Sequence, residues 1–380
     1  MRVLYLTKRL AEVSDEEEKV REISKLGVRM SVVVPAGHWR GPTNAAEKLN
    51  PQGYELSIRP CLFSRIESNH IKSHIYYYPG ISKMISREEW DLIHVEEEPY
   101  NLATYQVVKE CARHKRPAIF LTARMVLTGY PVPFNYFEKY VLRNASAALA
   151  INSAALGILR RKGFMKRAAL LPQDGVDPTV FRKVDANSVR QRMGLDRAFI
   201  IGFLGQVAYR KGLDILIRAL ALLSKECQLV LVGAGSDVPR FQALTEKLGV
   251  SERVHWVPWV NHREIVGYMC AFDAFVLPSR TTRTWREDFG RVLIEAMACE
   301  TPIVGSDSGE IPNVIGDAGL IFHEGDEREL AQNLLRLMDD PSLRETLGRR
   351  GRARVLERFT YAKVADQTVA FYKSICNGSN

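Results

Sequence analysis

Short apolar runs alternate with helix-length amphipathic stretches along nearly all of the 380 residues, and this alternation restricts the fold more than any other feature. Val3-Leu4-Tyr5-Leu6, Leu92-Ile93-His94-Val95, Phe199 to Leu204 and Leu229-Val230-Leu231-Val232 read as buried strands, each followed by helical spacing. Strands buried on both faces are apolar throughout, and the helices between them supply the crossovers of a parallel sheet. The expected class is therefore α/β and doubly wound.

The first half predicts strands near residues 2–6, 30–34, 91–95, 117–121, 147–151 and 168–171, with helices near 15–26, 68–86, 101–114, 134–143 and 153–162. Pro172-Gln173-Asp174-Gly175-Val176-Asp177-Pro178 then interrupts the pattern, as a linker would. After it the alternation restarts, with strands near 199–205, 228–235, 254–257, 274–277 and 302–305. Helices are expected at 212–223, 237–248, 262–270, 290–299, 327–338 and 342–357. The predicted division is a first domain over 1–180, a second over 181–360, and a closing helix in 361–380 that crosses back to the first.

Charge separates the halves. Residues 1–185 hold 28 Lys/Arg against 20 Asp/Glu, and the remainder 25 against 24, so most of the net +9 lies in the first half. That imbalance hints at an acidic surface or substrate, but no nucleic-acid recognition motif accompanies it. Six scattered cysteines without C-x-x-C spacing argue against a zinc site or a disulfide framework, and for a reducing compartment. Met1-Arg2 runs directly into a strand, and no apolar run approaches the ~18 residues of a membrane span. A cytoplasmic protein is expected, free or peripheral on the inner face of the plasma membrane.

Three stretches carry chemistry. In Arg286 to Ala298, Glu287 and Glu295 stand eight positions apart across a predicted helix start at Gly290. Unpaired N–H groups at such a start hold anions, and two acids so spaced suit hydroxyls on either side of a bound diphosphate. A capping acid with a second, buried or solvated Glu is the plainer alternative. Gly205 to Gly212 runs from a strand end with permissive backbone, and Arg210 and Lys211 there can neutralise phosphate. Gly233-Ala234-Gly235 ends the next strand; G-x-G is present but the third glycine of a dinucleotide fingerprint is not. Two doubly wound domains in tandem place such strand ends toward an interdomain cleft, the expected site. Together the three stretches suggest one nucleotide-sugar site.

The chain resembles the family 4 retaining glycosyltransferases. The resemblance rests on Gly205, Arg210-Lys211-Gly212, Gly233-Ala234-Gly235, Pro278-Ser279, Glu287-Asp288-Phe289-Gly290, Glu295-Ala296-Met297-Ala298 and Thr301-Pro302-Ile303-Val304. It implies a GT-B fold: two facing Rossmann-like doubly wound domains with an interdomain cleft, the first on the acceptor side and the second binding the nucleotide sugar. By resemblance, Glu287 holds donor-sugar hydroxyls, Phe289 and Gly290 give backbone N–H groups to the diphosphate, and Glu295 holds the ribose. Lys211, aided by Arg210, stabilises the leaving phosphate, with Gly205, Gln206, Gly233, Gly235 and Asp288 around the donor and Val257 along the base. Three positions depart from the family pattern. Gln206 stands where an Arg is frequent, leaving Arg210 to compensate. Leu10-Ala11-Glu12-Val13 replaces a Gly-Gly loop, and Arg124 takes the place of a histidine.

The reaction implied is retaining hexosyl transfer from a nucleoside diphosphate sugar, with UDP-glucose the first choice, to a polysaccharide or lipid-linked glycan. No cofactor and no metal are expected: the chain has no D-x-D motif, and Lys211, Arg210 and the helix start meet the growing phosphate charge. Nucleotide-sugar epimerase or hydrolase activity, and a non-catalytic nucleotide-sugar-binding protein, are the alternatives. Arg124 and Glu98, within Glu96-Glu97-Glu98 at a strand end, are candidates for the acceptor side; a solvated loop is the competing reading of the three acids. His70 and His74, at i, i+4, read as a helix face rather than a metal pair. Arg160 to Arg167 interleaves five cations with apolar residues, which suits an anionic lipid surface; an ordinary surface Lys/Arg cluster is the competing reading. Monomer and dimer remain equally open.

Overall fold

The computed structural model describes residues 1–12, 16–36, 49–62 and 75–377, without the side chains of 11, 12, 262 and 263. The chain divides into two compact units, Met1–Asp174 with Tyr361–Asn380, and Gly175–Thr360.

The first unit carries a seven-stranded parallel sheet built from β1 (Arg2–Leu6), β2 (Arg29–Ala36), β3 (Glu55–Pro60), β4 (Leu92–Val95), β5 (Ala118–Thr122), β6 (Ala147–Ala150) and β7 (Arg167–Leu170), in the order β3-β2-β1-β4-β5-β6-β7. Alternate residues of each strand enter different cores. Leu4, Leu6, Ile93, Val95 and Phe120 pack under α3 (Ile81–Arg87), α4 (Leu102–Arg113), α5 (Phe134–Asn144) and α6 (Ser153–Arg161). Val3, Tyr5, Val32, Leu92 and Ile119 face the other way, toward α2 (Glu16–Lys25), which follows the single turn α1 (Arg9–Glu12). The chain's last helix, α15 (Tyr361–Cys376), covers that second face with Ala365, Val369 and Tyr372. Its place is therefore decided by a core that the first 174 residues leave open.

The second unit has six parallel strands: β8 (Phe199–Leu204), β9 (Cys227–Val232), β10 (Val254–Val257), β11 (Ala274–Leu277), β12 (Ile303–Ser306) and β13 (Gly319–Phe322). Their order is β10-β9-β8-β11-β12-β13. Around them lie α7 (Asn187–Met193), α8 (Leu213–Ala221), α9 (Val238–Lys247), α10 (His262–Ala271), α11 (Arg291–Ala298), α12 (Ile311–Ile315), α13 (Glu327–Asp339) and α14 (Pro341–Arg358). One core holds Phe203, Phe241, Phe275 and Phe322, all at least 99% buried, and burying each contributes about 2–3 kcal/mol.

Three expectations need correction. The boundary falls between Asp174 and Gly175, six residues before the expected position. Val176 donates its N–H to Phe359 O at 2.9 Å and bridges to Thr360, while Phe181 is buried in the second core. Of the helix expected over 68–86, residues 75–80 are not helical and α3 starts at Ile81; Gly80 with φ +80° precedes it, and Tyr77 pairs with Leu62 as a bridge. Residues 63–74, including His70 and His74, lie outside the described residues. Finally, β3, β13, α7 and α12 were not anticipated. They are short edge strands and helices of five to seven residues, too brief for periodicity to register.

Candidate functional site

Ligands of open parallel sheets bind outside the carboxyl ends of the strands, where the strand order reverses. In the second unit β8 lies between β9 and β11, so the reversal falls between the loops Gly205–Gly212 and Pro278–Gly290.

These loops approach each other more closely than side chains allow. Gly212 has φ +69°, and a Cβ there would stand 1.8 Å from Pro278 O. Nearby, Arg280 N donates to Arg210 O at 2.9 Å. A Cβ on Gly233 would stand 1.9 Å from Gly205 O, and one on Gly235 2.0 Å from Val207 O. The packing of adjacent strand ends therefore demands glycine at both positions. At Gly205 a Cβ would meet only the Phe203 ring, at 3.5 Å, so permissive backbone remains the description there.

The charged groups converge on this reversal. Lys211 Nζ lies 2.7 Å from Glu287 Oε2, and Ser279 Oγ donates to the same oxygen at 2.6 Å. Glu287 is 5% exposed. Its backbone is held as well: Glu310 N donates to Glu287 O at 3.0 Å, and Gly309 leaves no room for a Cβ, which would stand 2.1 Å from that oxygen. Arg210 donates to Gln206 Oε1, so the glutamine that replaces a cation orients the next one. Arg210 and Lys211 lie 5.2 and 5.0 Å from the centre of the Trp285 ring.

Gly290 caps α11 at φ +77° and has no side chain to offer the first-turn N–H groups. Phe289 is buried against Phe359, ring centres 5.9 Å apart, while Asp288 is exposed. Glu295 sits inside α11, 6% exposed, with Arg291 Nε 2.9 Å from its carboxylate. The two acids thus occupy loop and helix, each beside a cation of its own. Val257 closes β10, and its carbonyl accepts from Gly233 N at 3.0 Å. Ser279, Trp285, Arg291, Gly309 and Glu310 went unassigned from sequence, because their roles arise only when separate loops meet.

In the first unit, the carboxyl end of β4 is occupied by buried acids rather than a solvated loop. Glu96 accepts from Lys19 Nζ at 2.8 Å and from the Tyr5 hydroxyl, and burial pushes its carboxyl up to about 8. The same burial lowers the Lys19 ammonium. His94 Nδ1 pairs with the Tyr372 hydroxyl of α15 at 2.6 Å, and burial holds its imidazole well below the usual range. Lys8 lies 3.1 Å from Glu97. Glu98 accepts from Ala123 N and Thr122 Oγ1, both at 2.8 Å, and burial raises its carboxyl. Arg124 lies over Tyr100 and Tyr130, 4.9 and 4.8 Å from their ring centres, and donates to the Tyr130 hydroxyl.

The basic stretch near the end of α6 is largely engaged. Arg160 donates to Phe164 O and Lys166 O, Lys162 to Thr128 O and Glu138, and Lys166 to Arg143 O and Ala145 O. Among the described residues no group of three His, Cys, Asp or Glu is arranged to hold a metal ion, and no helix is long and apolar enough to cross a membrane.

Two parallel-sheet units, the second bringing cations, a buried acid and a helix start to its strand reversal, define a doubly wound α/β class. Known proteins narrow that class. The model of the family described as glycosyl transferases group 1 matches residues 186–354. The chain is 31% identical over 274 residues to alpha-maltose-1-phosphate synthase of Mycolicibacterium smegmatis, covering 65% of this chain and 67% of that one. It is 28% identical over 252 residues to alpha-D-kanosaminyltransferase of Streptomyces kanamyceticus, 63% of each. The chain thus spans about two thirds of the length of these relatives. Among solved structures, Anabaena HepE in complex with UDP superposes with a TM-score of 0.75 at 20% identity, over 98% of this chain and 100% of that one. The chain belongs to the group 1 glycosyl transferases and has the GT-B fold.

Proposed function

We propose that the chain transfers a hexosyl group, with retention, from a nucleoside diphosphate sugar to a polysaccharide or lipid-linked glycan. UDP-glucose is the first choice of donor. The observation that carries this reading is the Lys211–Glu287–Ser279 cluster at the strand reversal of the second unit. The uridine assignment is supported by the UDP bound to the structurally similar HepE.

In this reading the diphosphate lies at the first turn of α11, with Lys211 and Arg210 at its oxygens. Glu287 takes sugar hydroxyls and Glu295 the ribose. As the anomeric C–O bond breaks, charge grows on the leaving diphosphate, where a preorganised donor contributes on the order of 10²–10³ in rate. The acceptor oxygen attacks from the same face and its proton passes to a donor phosphate oxygen. These cations supply the charge that a metal would otherwise bring. Arg124 and Glu98 are assigned to the acceptor.

A cytoplasmic location is part of the reading. Contact of residues 160–167 with anionic lipid is not favoured, because Arg160, Lys162 and Lys166 already cap main-chain carbonyls.

The first test is thermal shift against a panel of nucleotide sugars, since a true donor raises stability by mass action. A panel that leaves the melting temperature unchanged would overturn the proposal. Proton NMR of the product then reads the anomeric configuration, and inversion would remove the retaining mechanism.

A further inference from the structure

The loop between β11 and α11 carries an aromatic residue for which neither the family resemblance nor the proposed mechanism has a use. Trp285 lies where two neighbouring cations meet, with Lys211 Nζ 5.0 Å and Arg210 Cζ 5.2 Å from its ring centre. Adjacent cations repel, and among the described residues only one of these two has a carboxylate at hand, since Glu287 takes Lys211 while Arg210 reaches the neutral Gln206 amide.

We propose that Trp285 is a positioning residue for the donor: its ring holds Arg210 and Lys211 side by side at the strand reversal, ready for the two phosphates of a nucleoside diphosphate. The inference rests on the donor reading given under Proposed function.

Three features support it. First, a ring face attracts a cation through its quadrupole without consuming N–H donors, so both side chains keep hydrogen bonds to give. Second, Arg210 Nε is buried and has no hydrogen-bond partner among the described residues, a donor in want of an acceptor. Third, Trp285 does not float on the surface. Its main-chain N–H donates to Thr282 Oγ1 at 3.0 Å, and its main-chain carbonyl accepts from Thr282 N at 2.8 Å. The loop is pinned again at Thr281, which donates from N to Glu324 Oε2 at 2.8 Å and meets Ser308 Oγ at 3.1 Å. Arg280, ion-paired to Asp214 and stacked on Tyr209 at 4.2 Å, fixes its first turn. A loop held at these points fixes the main chain from which the ring meets the two cations.

The test compares Trp285→Phe, which keeps an aromatic face, with Trp285→Leu, which keeps apolar bulk without one. Calorimetry on the full chain with uridine and guanosine mono- and diphosphates measures how much the second phosphate tightens binding. Trp285→Leu is expected to lose about tenfold of that gain, the size of two part-exposed cation–ring contacts, and Trp285→Phe to keep most of it. Mononucleotide affinity should stay unchanged in both. A second-phosphate gain in Trp285→Leu equal to that of wild type would overturn the inference and leave the donor reading intact. Wild-type protein with no preference for diphosphates would overturn the donor reading first, and the inference with it.

Discussion

Lys211 and Glu287 neutralise each other at 2.7 Å with little exposure, and a pair of that kind is costly to break from one side. Replacing Lys211 by Ala leaves a buried carboxylate with only Ser279 for company. Turnover should fall on the order of 10²–10³-fold, and stability by about 2 kcal/mol. Adding Glu287→Gln should restore most of the stability and none of the activity, which denaturation and rate measurements on the double variant will show. The glycines give a sharper contrast. Gly235→Ala forces a methyl group to within 2.0 Å of Val207 O and should cost 2 kcal/mol or more, at least ~1 kcal/mol of it through displaced backbone. Gly157→Ala, inside α6 with nothing within 4 Å of the added carbon, should stabilise by about 0.5–1 kcal/mol. Urea midpoints of the two variants should therefore move in opposite directions.

Among the elements, α15 and α2 owe their seating to polar groups as well as to apolar cover. His94 joins β4 to α15, while Lys19 of α2 meets Glu96 just beyond the β4 end, and both acid and imidazole are held in their neutral forms by burial. The signs of the two titrations differ. Glu96 keeps its proton when folded until about pH 8, whereas the unfolded carboxyl releases it near 4.5. Its contribution is therefore complete below 4.5 and lost as pH rises toward 8. His94 must stay uncharged, so its contribution is present above the unfolded value of 6.5 and lost as pH falls through it. Thermal melts of wild type and Glu96→Gln, compared from pH 5 to 8, should diverge, with wild type losing ground as pH rises. Parallel curves would show that Glu96 holds no proton when folded. At the same scale, α11 was readable from Arg291-Val292-Leu293-Ile294 and its glycine start. By contrast β3, Glu-Leu-Ser-Ile-Arg-Pro, was not, because an edge strand with mostly exposed or half-exposed residues carries no apolar signal.

For the whole molecule, two units with separate cores need not unfold together, so ligand effects are best read locally. Uridine diphosphate at about 100 times its Kd should stabilise the unit that binds it by about 2.7 kcal/mol. Hydrogen exchange should then slow in Gly205–Gly212 and Pro278–Gly290 of the second unit. Protection confined to the first unit would contradict the assignment of the donor. Alternation of apolar runs and amphipathic segments determined the class, the two-sheet plan and most strand positions, because a strand buried on both faces must be apolar whatever surrounds it. Spacing also singled out Lys211, Glu287 and the start of α11, since strand ends and helix starts are local features. Only the tertiary structure decided that Gly233 and Gly235 make room for neighbouring carbonyls, that Glu96 is buried beside Lys19, and that Trp285 lies at Arg210 and Lys211. Those facts depend on which loops meet, and contact between residues dozens of positions apart leaves no trace in the local pattern of either.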